Sequence, residues 1–267
     1  MADKVAWVTG GASGIGAAVS RRLAQQGYRV LVTDVDVPGG EKVAAEIGGI
    51  FRRCDVRAPG DNKAAVGAAV IEFGGLDLAF LNAGVATGID LEDGFSLETY
   101  RRAMAINLDG VVYGAQAALP ALRARGGGDI IATASLAGLT AVPFNPIYGA
   151  NKAAVVGFVR ALGPLYAPAN IRVNALCPSF AETAIIETVR PVLVGASVPL
   201  LEVSDVVAAF DAILVGDGTG EAWYVQAGRP AGPFEFGEVP GAVTGDGRTM
   251  SADAIVQAIL AASGRDR

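Results

Sequence analysis

The chain has 267 residues, 52% of them hydrophobic, enough for one α/β domain with a substantial core. Its 27 acidic and 21 basic residues give a net charge of −6, with no Lys/Arg cluster, which argues against a nucleic-acid partner. There is no histidine, which excludes a Ser-His-Asp triad, a His-ligated zinc and a His general base and leaves acid/base work to Tyr, Lys, Asp, Glu or Cys. No apolar run has the length of a membrane span, and M-A-D-K passes straight into a strand-like run with no signal peptide visible. Cys54 and Cys177 lie far apart in apolar settings and read as free thiols. The expectation is a cytoplasmic protein with no membrane contact and no metal site.

Residues 4–9, K-V-A-W-V-T, form a short apolar run of the kind found in buried parallel strands. T-G-G-A-S-G-I-G follows (Thr9 to Gly16), then a helical stretch ending at Gly27. Strand, Gly-rich turn and helix are the context that a dinucleotide-phosphate loop requires. Gly10 makes the tight turn, while Gly14 and Gly16 let the backbone approach a pyrophosphate at the positive end of the helix. The next strand, R-V-L-V-T, ends at Asp34, placed to accept hydrogen bonds from adenosine ribose hydroxyls and to repel a 2′-phosphate. No Arg stands at Thr33 or Val35, so Asp34 argues for NAD.

A helix is predicted over 38–48, from Pro38 to Gly48, then a strand leading to Asp55, a helix over 59–74 and a strand over 76–81. That strand runs into Asn82-Ala83-Gly84, a small-residue turn where an open parallel sheet binds its ligand. The loop 85–96 reads as a rim. A long helical pattern over 97–125 is interrupted near Asn107 and again near Pro120. Asn107, a polar residue on an apolar face, is either a structural bracket or part of a polar relay.

After the strand I-I-A-T-A comes Ser135, and the stretch to Lys152 carries three chemical groups: the Ser135 hydroxyl, the Tyr148 phenol and the Lys152 ammonium. Tyr148 and Lys152 stand four apart, on one helix face. A cation there favours the phenolate and lowers the phenol's pKa, suiting it to exchange a proton with an alcohol or carbonyl. Gly163-Pro164 should bend or shorten that helix. A sixth strand ends at Cys177-Pro178, a helix spans about 203–215, and E-A-W-Y-V-Q is the seventh strand. The alternation gives an α/β, doubly wound parallel sheet. The segment after Thr183 is an apolar lid whose one cation, Arg190, either meets a substrate carboxylate or is solvated. Residues 228–250 form an irregular extension and 251–263 a last short helix. The extension packs on a neighbouring subunit, covers the cleft or is a mobile tail.

T-G-G-A-S-G-I-G, Asp34, D-V at 55–56, N-A-G at 82–84, Asn107, Ser135, Y-G-A-N-K at 148–152 and the Pro178 to Thr183 segment together resemble the short-chain dehydrogenase/reductase family over residues 4–226. The stretches around Ser135 and Pro178 further resemble its hydroxyprostaglandin dehydrogenase branch. The resemblance implies a single Rossmann-type domain over 1–267, with a seven-stranded parallel sheet, helices on both faces, a core over 4–226 and an extension over 227–267. It makes Tyr148 the general acid/base and Lys152 its tuner and a holder of the nicotinamide ribose. Ser135 becomes the substrate-oxygen contact, and Asn107 the anchor of a water behind Lys152. Gly10, Gly14, Ile15 and Gly16 would hold the pyrophosphate, Asp34 the adenosine ribose, and Asp55 and Val56 the adenine. Asn82 and Gly84 would line the cofactor channel, and Pro178 and Thr183 would meet the nicotinamide. Ser13, Val35, Ala83 and Phe180 are further cofactor contacts by the same likeness, and Asn145 is a polar substrate contact.

Three positions depart from the family pattern: Ser179 where Gly is usual, Leu81 where many members have a second Asn, and Gly163-Pro164 in a helix that commonly packs across the dimer interface. The implied activity is NAD-dependent hydride transfer on an apolar secondary alcohol or ketone by a homo-oligomer, dimer or tetramer. The alternatives are a non-catalytic NAD-binding sensor or scaffold and an NADP-dependent ketone reductase.

Overall fold

The first strand, β1 (Val5–Thr9), is buried along its whole length and pairs in parallel on both sides, with β2 (Arg29–Asp34) and β4 (Leu78–Leu81). A strand covered on both faces must be apolar throughout, which is why V-A-W-V-T shows no alternation. Its one large polar group is satisfied: Trp7 Nε1 donates to Thr33 Oγ1 at 2.9 Å, and that hydroxyl donates to the Val8 carbonyl. The computed structural model describes residues 3–87 and 91–262. The predicted rim loop falls partly at 88–90 and the predicted last helix residue at 263, outside the described residues.

From β1 the chain runs through α1 (Gly14–Gln25), β2, α2 (Val37–Ile47) and β3 (Ile50–Arg53), building outward on one side. Then α3 (Pro59–Phe73) carries it back to β4, and the sheet grows the other way. Next come α4 (Leu97–Met104), α5 (Gly110–Ala124), β5 (Gly128–Thr133), α6 (Pro146–Tyr166), β6 (Ile171–Pro178), α7 (Arg190–Gly195), α8 (Val203–Val215) and β7 (Ala222–Val225). The strand order is 3-2-1-4-5-6-7, so the direction reverses between β1 and β4, where ligands of open sheets bind. The α1, α2 and α8 helices pack together, as do α3 and α5, giving helical layers on both faces. Leu23, Val206, Phe210 and Ile213 fill the space under β1 and β4, with the Phe80 and Phe210 rings edge-on at 4.9 Å. Each such buried side chain contributes roughly 1.5–3 kcal/mol.

The sheet has eight strands rather than seven. Gly232–Pro233 (β8) adds to β7 antiparallel, through Trp223↔Pro233 and Tyr224↔Gly232. Proline is tolerated because this is the outermost strand, which needs no ladder donor on its free side. The break predicted near Pro120 is absent, and the helix expected to bend or shorten at Gly163-Pro164 is not ended there. The α5 helix runs through Pro120, whose ring lies on the exposed face, where water can hydrate a carbonyl that lacks an amide partner. The α6 helix runs through Gly163-Pro164 to Tyr166. Pro164 falls in the last turn, and Gly163 is there for close packing, since a Cβ on it would stand 2.3 Å from the Gly220 nitrogen. The break predicted near Asn107 is present as one π-helical turn, Ala105–Asp109, between α4 and α5.

The chain forms two compact units, residues 1–234 and 235–267. The expected extension therefore gives its first residues, through Phe234, to the first unit. The second unit holds a hairpin of β9 (Ala242–Val243) and β10 (Thr249–Met250), followed by α9 (Ala252–Ala262). Among the described residues, no helix is long and apolar enough to cross a membrane, and Cys54 and Cys177 are both free and buried.

Candidate active site

The Gly-rich turn leaves β1 with Gly10 at φ +64° and Gly14 at φ +51°, a region that disfavours other residues. It folds tightly onto itself: a Cβ on Gly16 would meet the Gly10 carbonyl oxygen at 2.1 Å. Ser13 is exposed at the N-cap of α1 and makes no capping hydrogen bond, and the helix's first turn has no acidic residue. The first amides of α1 are thus left for an anion. Ile15 is half-buried against the core.

Asp34 braces this turn. One carboxylate oxygen accepts from the Ala12 amide and the other from the Asp36 amide, both at 3.0 Å. A carboxylate has about four lone-pair sites, so two of them stay available for ribose hydroxyls. Val35 is exposed beside it. Parallel pairing also sets Arg53 opposite Asp34, a neighbour from β3 that inspection of Thr33 and Val35 did not reveal.

Asp55 is not an open acceptor. Arg57 grips its carboxylate at 2.6 Å and, chiefly through that hydrogen bond, holds it below the usual carboxylate range. Val56 is buried against Gly110, and its carbonyl accepts from Asn62.

The N-A-G turn is anchored to β1. Thr9 Oγ1 accepts from the amides of Asn82 and Ala83, and the Asn82 side chain reaches the Thr9 and Gly10 carbonyls and Thr133. Asn82 therefore acts as a bracket among β1, β4 and β5. Gly84 lies close to Asn107 and Lys152, 3.4 and 3.9 Å from where its Cβ would be. Asn107 is fully buried and spends its amide on one partner, accepting from the Val85 amide at 2.8 Å and donating to the Val85 carbonyl at 2.9 Å. Its side chain is a bracket, using one of its two N–H donors and one of its two lone pairs on Val85.

Ser135 follows β5, accepts from the Ala137 amide and donates to the Pro178 carbonyl at 3.3 Å. Lys152 is buried and donates to the Thr133 carbonyl at 3.0 Å, its nitrogen 5.8 Å from the centre of the Tyr148 ring. Burial pushes the Lys152 ammonium down to about 8. Burial also pushes the Tyr148 phenol up, while its hydrogen bond with Ser135 pulls the other way. The net direction on the phenol is thus opposite to the sequence expectation, because desolvation of a phenolate outweighs the help its neighbours give. Both thiols are pushed up to about 12 by burial, which leaves Cys177, close to Lys152, a neutral neighbour.

From Pro178 the chain turns back over the Gly-rich loop, bringing Thr183 Cγ2 within 3.4 Å of a Cβ built on Gly14. Phe180 is half-buried, its carbonyl tied to the Leu201 amide. The Ser179 hydroxyl is buried without a hydrogen-bond partner. Arg190 pairs with Glu182 at 2.9 Å on the surface. Asn145 caps α6, accepting from the Tyr148 amide and from Thr87. Thr9 and Thr87 were not singled out from the sequence, since a threonine's hydrogen-bonding partner across the fold leaves no local signal.

The open parallel sheet, the anion-ready Gly turn at its switch point and the carboxylate at the end of β2 define a dinucleotide-binding α/β protein. The free amides at α1, the two open acceptor positions on Asp34 and the orphaned Ser179 hydroxyl fit a nicotinamide dinucleotide. The sequence matches the short chain dehydrogenase family over residues 4–192. It is 40% identical over 189 residues to cyclohexanol dehydrogenase of Acinetobacter sp. (strain SE19), covering 69% of this chain and 75% of that one. Among solved structures it resembles 3-ketoacyl-(acyl-carrier-protein) reductase from Brucella melitensis complexed with NADH (TM-score 0.80, 31% identity, 85% of this chain and 98% of that one). It also resembles actinorhodin polyketide ketoreductase with NADPH (TM-score 0.79, 32% identity, 85% and 98%). The chain belongs to the short chain dehydrogenase family and is an oxidoreductase that uses a nicotinamide cofactor.

Proposed function

We propose that the protein is an NAD-dependent dehydrogenase of secondary alcohols on apolar, alicyclic skeletons, with Tyr148 as general acid/base. The observation that carries this reading is the convergence of Ser135, Tyr148 and Lys152 at the carboxyl ends of β5 and β6. Nicotinamide supplies the hydride acceptor when bound. Ser135 and Tyr148 hold the alcohol oxygen between them, and Tyr148 takes its proton. Lys152, held by the Thr133 carbonyl, keeps a positive charge beside the phenolate. Asp34 favours NAD by accepting from ribose hydroxyls and repelling a 2′-phosphate.

An apolar substrate is supported by the residues next to the site. Phe144 precedes Asn145, while Ile185, Val189 and Val192 follow Thr183, and all four side chains are exposed. Exposed apolar side chains on the segments that follow Thr183 and precede Asn145 suit a hydrocarbon ring. The likeness to cyclohexanol dehydrogenase points the same way.

Tyr148→Phe tests the assignment, with cyclohexanol and NAD as probe. We expect turnover to fall by about 10³-fold or more, with NADH affinity nearly unchanged because the ring is kept. A variant retaining more than about a tenth of the rate shows that Tyr148 is not the acid/base.

A further inference from the structure

Asn145 was expected to touch substrate, but the structure commits its carboxamide oxygen elsewhere. That oxygen accepts the Tyr148 amide at 3.1 Å, capping α6, and the Thr87 hydroxyl at 3.0 Å. Thr87 is buried and closes a short loop that begins at Asn82. The anchors of this loop run from β1, through the π-helical turn, to α6. Asn82 and Ala83 hang on Thr9, Val85 is held through both its amide and its carbonyl by Asn107, and Thr87 is held by Asn145.

Tyr148 needs such support. It lies in the first turn of α6, where amides have no helical partner. Pro146 at the helix start offers no donor, and Gly149 follows the tyrosine. Glycine stiffens a helix least. Without the cap, the segment bearing the phenol is free to fray.

We propose that Thr87 and Asn145 form a positioning clamp, in which Asn145 acts through Tyr148 rather than on the substrate and joins the cofactor-side loop to the catalytic helix. This rests on the reading of Tyr148 as acid/base. One consequence is that the 82–87 loop and the phenol move as one piece. Anything that orders the loop orders the tyrosine.

The test compares wild type with Asn145→Ala, Asn145→Asp, Thr87→Val and the Thr87→Val/Asn145→Ala double variant. Steady-state kinetics use cyclohexanol and NAD, and the Tyr148 phenol is titrated by ¹³Cζ-tyrosine NMR, its signal identified with Tyr148→Phe. Loss of the clamp is expected to lower kcat about tenfold in Asn145→Ala and about fivefold in Thr87→Val, with KM within about threefold of wild type. The double variant should be no slower than Asn145→Ala by more than about twofold, because one interaction cannot be lost twice. Asn145→Asp keeps both acceptor positions and should recover most of the rate. In Asn145→Ala the phenol's pKa should fall back toward its ordinary value of about 10 as the ring gains water.

A tenfold rise in KM at unchanged kcat, in both Asn145 variants, would make Asn145 a substrate contact and overturn the clamp. Multiplying losses in the double variant would overturn it as well. If wild type turns over no alcohol at all, the acid/base reading fails by itself, and an unmoved phenol titration in Asn145→Ala and Thr87→Val then overturns the clamp.

Discussion

Replacing Lys152 by methionine should make the protein more stable and inactive. Lys152 is 5% exposed, and burial moves its pKa from 10.5 to about 8. That gap corresponds to about 3 kcal/mol, at about 1.4 kcal/mol per pKa unit, spent on keeping an ammonium in the interior. The sign follows from proton counting. A lysine whose folded pKa lies below its unfolded one destabilises the fold fully below about 8, and the penalty shrinks as pH rises toward 10.5, since the unfolded chain then binds more protons.

Methionine fills a similar volume without charge but leaves the Thr133 carbonyl short of one donor, which costs about 1 kcal/mol. The net gain at pH 7 is therefore about 2 kcal/mol, or about 4 °C in Tm for a chain of this size. By pH 9.5 the gain should have nearly vanished, because the wild-type penalty has by then fallen to about 1 kcal/mol and the lost hydrogen bond remains. Scanning calorimetry of both proteins at pH 7 and pH 9.5 decides it. A variant less stable than wild type at pH 7, or a gain independent of pH, would show that Lys152 is not a desolvated charge. Such a gain from removing Lys152 is the expected signature of a site built at the expense of stability.

Two further outcomes follow from the same groups. Burial pushes the Tyr148 phenol above its ordinary value. Alcohol oxidation needs the phenolate, so its kcat/KM should keep rising with pH on the alkaline side. Ketone reduction needs the phenol and should fall over the same range; parallel profiles in the two directions would contradict the assignment. Fluorescence titration should show NADH binding at least about tenfold tighter than NADPH, about 1.4 kcal/mol, with the preference lost in Asp34→Ala. Equal binding by wild type would mean that Arg53, opposite Asp34, cancels its charge toward the 2′-phosphate.

Much of the fold was legible from local chemistry. The helix over 203–215 appears at those bounds, and α2 stops at Gly48, which adopts the left-handed conformation its position demanded. Neither Pro120 nor Pro164 ends its helix, because the cost of a proline depends on which face the ring occupies and how close the helix end lies. Strand β8 was missed because two residues, one a proline, carry no periodic signal; only an available sheet edge makes them a strand.

The site divides along the same line. Ser135, Tyr148, Lys152, the glycine turn and Asp34 stand out as candidates from order and spacing, because these groups sit at strand ends and helix starts whose local patterns are strong. Their partners do not. That Asn107 grips Val85, that Asn145 serves Tyr148 and Thr87, that Arg57 closes off Asp55 and that Arg53 faces Asp34 all depend on where separate segments meet. The direction of the phenol's pKa belongs with them. Charge spacing along one helix suggests a lowered value, whereas the water removed by surrounding elements raises it. Which groups are candidates for the chemistry is thus written locally, and how each is held and tuned arises from desolvation and hydrogen bonds between segments far apart in the chain.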